Sequence, residues 1–163
     1  MSTDEPTRTR PRMPASYGVD PTALEGTLPW DYVRERMASA RNYWVGTTRP
    51  DSRPHAAPVW GVWLDEALYF STSPSSRKGL NLGANPAVVV HLESGDEVVI
   101  IEGTVEAVDD PTLLARMADV YEAKYQFRPD ATGDAIVYRL RPRVAFAWRE
   151  RDFPSSATRW SFA

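Results

Sequence analysis

The sequence predicts an α+β domain centred on an antiparallel β-barrel with a few flanking helices, and three observations predict it. Short segments rich in β-branched and aromatic residues recur at close intervals, divided by turn chemistry. Two or three stretches between them carry apolar residues at helical spacing instead. The 163 residues suffice for one hydrophobic core and are too few for two good ones, so these elements share a single domain.

The elements follow in order. Residues 1–28 hold prolines at 6, 11, 14 and 21 and scattered arginines without apolar periodicity, the composition of a flexible or loosely draped arm. Behind Pro29, the residues Trp30, Val33 and Met37 fall at helical spacing and predict a short amphipathic helix that closes one end of the barrel. Strands are predicted over 42–48 and 55–64, with the turn Arg49-Pro50-Asp51-Ser52-Arg53-Pro54 between them. A further strand over 67–72 follows Asp65-Glu66. Ser73-Pro74-Ser75-Ser76 then breaks the strand period, and a short helix runs to about Asn85-Pro86. Strands over 87–93 and 98–108 form a hairpin around Ser94-Gly95-Asp96. Asp109-Asp110-Pro111 suits the first turn of a helix whose apolar stripe is Leu113, Leu114, Met117, Val120 and Tyr121. Two closing strands, 136–140 and 144–148, lead to a tail over 151–163 so dense in aromatics that the barrel or a partner is expected to cover it.

Composition narrows the function. Hydrophobic residues at 42% and charged ones at 25% are the proportions of an ordinary globular domain. The absence of cysteine removes disulfides, thiolate nucleophiles, zinc ribbons and iron–sulfur clusters, so redox chemistry would have to come from a bound cofactor. A net charge of −3 offers no general attraction to nucleic acid. His55 and His91 are the two histidines, and neither lies in a metal-binding motif. No apolar run approaches the roughly 20 residues of a membrane span, nor does the N-terminus carry the apolar stretch of a secretory signal. A cytoplasmic protein without membrane contacts is expected.

The most informative segment runs from Leu68 to Gly79, where a strand delivers Ser71, Thr72, Ser73, Ser75 and Ser76, then Arg77 and Lys78, to a helix start. Those are parts for binding phosphate: free amides at a helix N-terminus, hydroxyl donors, a guanidinium fork and an ammonium. On composition alone the same residues also describe a serine-capped surface helix with two solvated cations.

Order and spacing distinguish these readings. Ser76-Arg77-Lys78-Gly79, followed by Leu82, Asn85-Pro86 and a β-rich run ending in Ile101-Glu102-Gly103, resembles the pyridoxamine 5'-phosphate oxidase-like family over residues 29–150. The resemblance implies an FMN-binding split barrel that forms a homodimer, with FMN or the deazaflavin F-420 in a groove between subunits. It assigns the cofactor phosphate to Arg77 and Lys78, with hydroxyl contacts from Ser71, Thr72 and Ser76. The strand beside the isoalloxazine ring falls on His55, Ala57, Pro58, Val59 and Trp60. Pro58, which has no N–H, suits backbone that faces a ligand and equally suits an edge strand.

Two departures set the chain apart from true pyridoxamine phosphate oxidases: Val98 stands in place of a glutamine, and the tail lacks an arginine–histidine pair. Its Ala157-Thr158-Arg159-Trp160-Ser161-Phe162 is similar to tails in the branch that includes many deazaflavin-dependent reductases. Trp60 and Trp160 are the tryptophans placed near the site; the others read as core or interface anchors. His55 reads either as a proton donor or as a structural strand residue, and His91 as structural. Asp109 and Asp110 read as helix caps, and Glu122 and Lys124 as a solvated helix face.

The implied function is an oxidoreductase whose cofactor passes hydride to or from a small organic substrate, which needs no catalytic side chain. Two other classes stand beside it: a barrel that holds flavin, deazaflavin or haem for storage or sensing, and an interaction protein whose basic turn and aromatic tail serve dimerisation alone.

Overall fold

The computed structural model describes residues 5–130 and 133–163. Nine strands form one antiparallel sheet: β1 (Thr7–Thr9), β2 (Tyr43–Thr48), β3 (Pro54–Val59), β4 (Val62–Leu64), β5 (Ala67–Thr72), β6 (Ala87–His91), β7 (Glu97–Ala107), β8 (Ile136–Arg149) and β9 (Thr158–Ser161). The helices are α1 (Trp30–Ser39), α2 (Arg77–Ala84), α3 (Pro111–Tyr125) and the single turn α4 (Phe153–Ser156).

The main path runs β1-β9-β8-β7-β6-β2-β3, and β5 joins it by pairing with β8 and with β4. Because β8 is long, its first part pairs with β5 and its last part with β9, while β7 follows its other edge throughout. The sheet is not closed, as β3 at one end pairs only with β2 among the described residues. This is the antiparallel α+β split barrel that the sequence predicts.

The core lies on the face carrying Tyr43, Val45, Leu68, Phe70, Val90, Ile101 and Leu140, closed by Trp30, Val33 and Met37 of α1. A smaller cluster joins Met117 of α3 to Val62, Ala67 and Tyr69. Alternation in β2, where Tyr43, Val45 and Thr47 are buried and their neighbours half-buried, is the period-2 signature of a strand with one face on the core.

Three elements differ from the sequence reading. The strand expected over 55–64 is two strands, since β3 pairs with β2 and β4 with β5; between them the backbone at Gly61 passes so close to β5 that a Cβ would come within 2.8 Å of the Tyr69 carbonyl oxygen. The two strands expected over 136–148 are one. The register shift opposite Glu102 and Gly103 leaves Arg143 unpaired, a bulge that lets Pro142 remain in the strand. Residues 7–12, read as part of a loose arm, hold β1 against β9. Apolar periodicity cannot reveal this, since main-chain pairing and one buried arginine, Arg10, secure the segment. Its guanidinium donates to the carbonyls of Ala23 (2.6 Å), Glu25 (2.5 Å), Ser155 (2.5 Å) and Ala157 (2.9 Å).

Candidate functional site

The turn between β5 and α2 is built by its own hydroxyls. Ser76 Oγ caps α2 by accepting from the Gly79 amide at 3.0 Å and donates to the Ser73 carbonyl at 2.8 Å. Its one hydrogen is thereby used, so Thr72 Oγ1 is the donor in their 2.9 Å contact. A Cβ at Gly79 would lie 2.1 Å from the Ser73 carbonyl oxygen and 2.9 Å from Pro74 Cα. Only glycine allows the turn to fold back on the helix this closely.

With Gly79 capped, the amides of Arg77 and Lys78 stand at the helix start with no carbonyl ahead of them. Arg77 is exposed and Lys78 half-buried. Neither enters an ion pair among the described residues. Burial pushes the Lys78 ammonium below the usual lysine range. Ser71 at the end of β5 is exposed and Thr72 is buried. Thr72 and Ser76 are thus joined at the start of α2, with Arg77 and Lys78 following them; Ser71, exposed where Thr72 is buried, lies on the other face of β5.

A buried amide ties α2 to β2, the strand paired with β3. Asn81 of α2 is fully buried, and its Nδ2 donates to Thr47 Oγ1 at 2.9 Å. Thr47 is the register partner of His55. His55 Nδ1 and Asn81 Oδ1 are both buried without a hydrogen-bond partner among the described residues, a costly condition that a bound polar group would relieve. From His55 to Val59 the strand advances about 13 Å, and on one edge it has no strand neighbour among the described residues. His55, Ala57 and Val59 are half-buried, Ala56 and Pro58 exposed. A groove of about 620 Å³ on the outer sheet face is lined by Gly46, Thr48, His55, Ala56, Val89 and Glu102, among others, but does not reach the Ser-Arg-Lys turn.

Beyond β3, Trp60 stacks on Tyr125 with ring centres 4.6 Å apart, and the Arg41 guanidinium lies 5.3 Å from the Trp60 ring centre. Trp60 is 39% exposed. Tyr125 Oη accepts from the Gly61 amide at 3.0 Å and donates to the Arg41 carbonyl at 2.7 Å. Lys124 Nζ donates to Tyr43 Oη at 2.8 Å and to the Gly61 carbonyl at 3.0 Å. Burial, and then the neighbouring Arg41 charge, push its pKa down to about 8. Lys124 is thus half-buried rather than part of a solvated helix face, its stem lying along aromatic rings. Glu122 stays exposed and pairs with Arg128 at 2.7 Å.

Trp160 does not join the site. It is fully buried against Trp30, with ring centres 5.4 Å apart; β9 pairs with β8 and turns this side chain into the core. His91 lies parallel to Trp44 and its Nδ1 is 2.8 Å from the Leu92 carbonyl. Asp110 caps α3 by accepting from the Thr112 amide at 2.9 Å. Among the described residues no group of three His, Asp or Glu could hold a metal ion, and no helix is long and apolar enough to cross a membrane.

Sequence reasoning missed Asn81, Thr47, Lys124 and Tyr125. Their roles rest on contacts 34 to 84 residues apart along the chain, and no local pattern encodes them.

A conserved hypothetical protein from Mycobacterium tuberculosis superposes with a TM-score of 0.67 at 24% identity, over 76% of this chain and 86% of that one. General Stress Protein 26 from Bacillus anthracis gives 0.60 at 22%, over 72% and 91%. These two show the fold alone. A protein named F420 Reductase gives 0.54 at 27% identity, over 68% and 94%. No curated protein matches the sequence. The family model described as Pyridoxamine 5'-phosphate oxidase matches residues 30–149, which spans the barrel from α1 to the end of β8 and includes the Ser-Arg-Lys turn, and the chain therefore belongs to that family of flavin-related oxidoreductases.

Proposed function

We propose that the protein is an oxidoreductase holding FMN or the deazaflavin F-420, with the cofactor phosphate on the Ser-Arg-Lys turn and the ring along β3. The observation that carries this reading is the turn itself. Two cations without acidic partners among the described residues stand in the first turn of α2, whose capping Ser76 is hydrogen-bonded to Thr72. That set fits the phosphate shared by both cofactors. Arg77 and Lys78 would hold the phosphate, with Ser71, Thr72 and Ser76 around it. His55, Ala57, Pro58, Val59 and Trp60 would border the rest of the molecule.

When bound, such a cofactor supplies hydride transfer to or from a small organic substrate. The protein's part is anchorage, orientation and exclusion of water. Its outer face carries half-buried Trp44, Val89 and Ile100 beside the groove, which supports a second copy of the chain covering that face in a homodimer. Val98 and the tail sequence favour a branch other than the true pyridoxamine phosphate oxidases.

Titration of the full chain with FMN and, separately, with F-420, followed by fluorescence, tests the reading. Tight binding of one cofactor names it. Arg77→Ala with Lys78→Ala should weaken that binding at least about 100-fold, since each charge-assisted hydrogen bond contributes roughly 1.5–3 kcal/mol. Unchanged affinity in a variant with unaltered circular dichroism would refute the phosphate assignment.

A further inference from the structure

The segment after β1 meets β8 and β9 at a cationic cavity, on the opposite end of the sheet path from β3. It has a volume of about 670 Å³ and is lined by Thr9, Arg10, Arg12, Pro21, Phe146 and Arg159. That volume is the size of a small-molecule site.

Its three arginines are not equivalent. Arg10 is buried and its donors are spent on main-chain carbonyls, which fixes one wall. Arg159 is half-buried; its Nη1 donates to Ser161 Oγ at 2.5 Å and the rest of its fork has no partner among the described residues. Arg12 is exposed and makes no side-chain hydrogen bond or ion pair among them. The acid nearest the rim in sequence, Asp20, already accepts from the Thr22 amide and hydroxyl, each at 2.8 Å. Phe146, half-buried and paired across strands with Arg159, supplies an apolar wall with Pro21.

Two guanidinium forks with no carboxylate among the described residues lining the cavity, set against an aromatic ring, have the chemistry of a site for an organic anion. We propose that this cavity binds a small organic anion, its phosphate or carboxylate oxygens meeting Arg12 and Arg159 and its apolar part lying on Phe146. This site is separate from the Ser-Arg-Lys turn and stands whether or not that turn holds a cofactor.

The test uses the full chain, labelled with nitrogen-15, and two probes that differ in their head group: phenyl phosphate and benzoate. Saturable shifts of the Thr9, Phe146 and Arg159 amides are expected with at least one probe, and which one responds identifies the head group. Arg12→Gln with Arg159→Gln should weaken that binding at least about 10-fold. The Arg77→Ala and Lys78→Ala variant should leave it unchanged while losing any shifts at residues 72–79. Shifts confined to 72–79, no saturable shifts at all, or shifts at Thr9 and Phe146 that survive the Arg12 and Arg159 substitutions would each overturn the proposal. A collapsed spectrum of the double glutamine variant is covered by Arg12→Gln alone, which removes an exposed side chain and must still weaken binding.

Discussion

At the scale of single residues, Lys124 shows how a long polar side chain can be mistaken for a surface one. Its ammonium rests on Tyr43 and Gly61, faces Arg41, Tyr43 and Tyr125, and has its pKa lowered to about 8. The ordinary value is near 10.4. Between about pH 8 and pH 10 the unfolded chain therefore binds more protons at this position than the folded one, and the stability contributed by Lys124 rises with pH. The melting temperature of wild type minus that of Lys124→Met should increase across this interval; a constant difference would mean that the amine titrates normally. The same residue marks the limit of what the sequence discloses. Ser71, Thr72, Ser76, Arg77 and Lys78 could be singled out as a candidate phosphate turn because they lie in one run of eight residues. Asn81 looks like any polar position on a short helix, and its burial becomes visible only once β2 is placed beneath it.

At the scale of elements, the legible parts were those with a local cause. The hydroxyl cap of α2, the proline and Asp110 at the start of α3 and the turn chemistry between β6 and β7 all act within a few residues. The Pro142 bulge in β8 was not legible, since a proline reads as a strand break until a partner strand supplies the compensating shift. Trp160 was misplaced for a similar reason: its position in the core follows from the register of β9 on β8, a tertiary fact. The tightest local constraint is the return of the Ser73-Pro74 turn onto α2. Gly79→Ala drives a methyl group into the Ser73 carbonyl, backbone that cannot swing aside as a flexible side chain would. A loss of about 2–4 kcal/mol is expected by urea denaturation, together with weaker cofactor binding. Stability within about 0.5 kcal/mol of wild type would show that the turn yields easily.

At the scale of the whole molecule, Arg10 fastens the N-terminal segment, the loop at 23–25 and the segment at 155–157 into one assembly. Arg10→Gln shortens the reach and removes the charge, leaving several carbonyls without a donor. A loss of about 3 kcal/mol is expected on that account. It should appear as a lower urea midpoint, with the circular dichroism of the barrel retained below the transition. An unchanged midpoint would mean that water replaces the arginine at no cost. The pairing of Thr7 with Ser161 also imposes an order in time. While the chain is being synthesised, β1 has no template until β9 emerges, so it must wait until everything between them has been made. Closing a loop of that length is slow compared with hairpin formation. The barrel from β2 to β7 can therefore begin to assemble before β1 and β9 join.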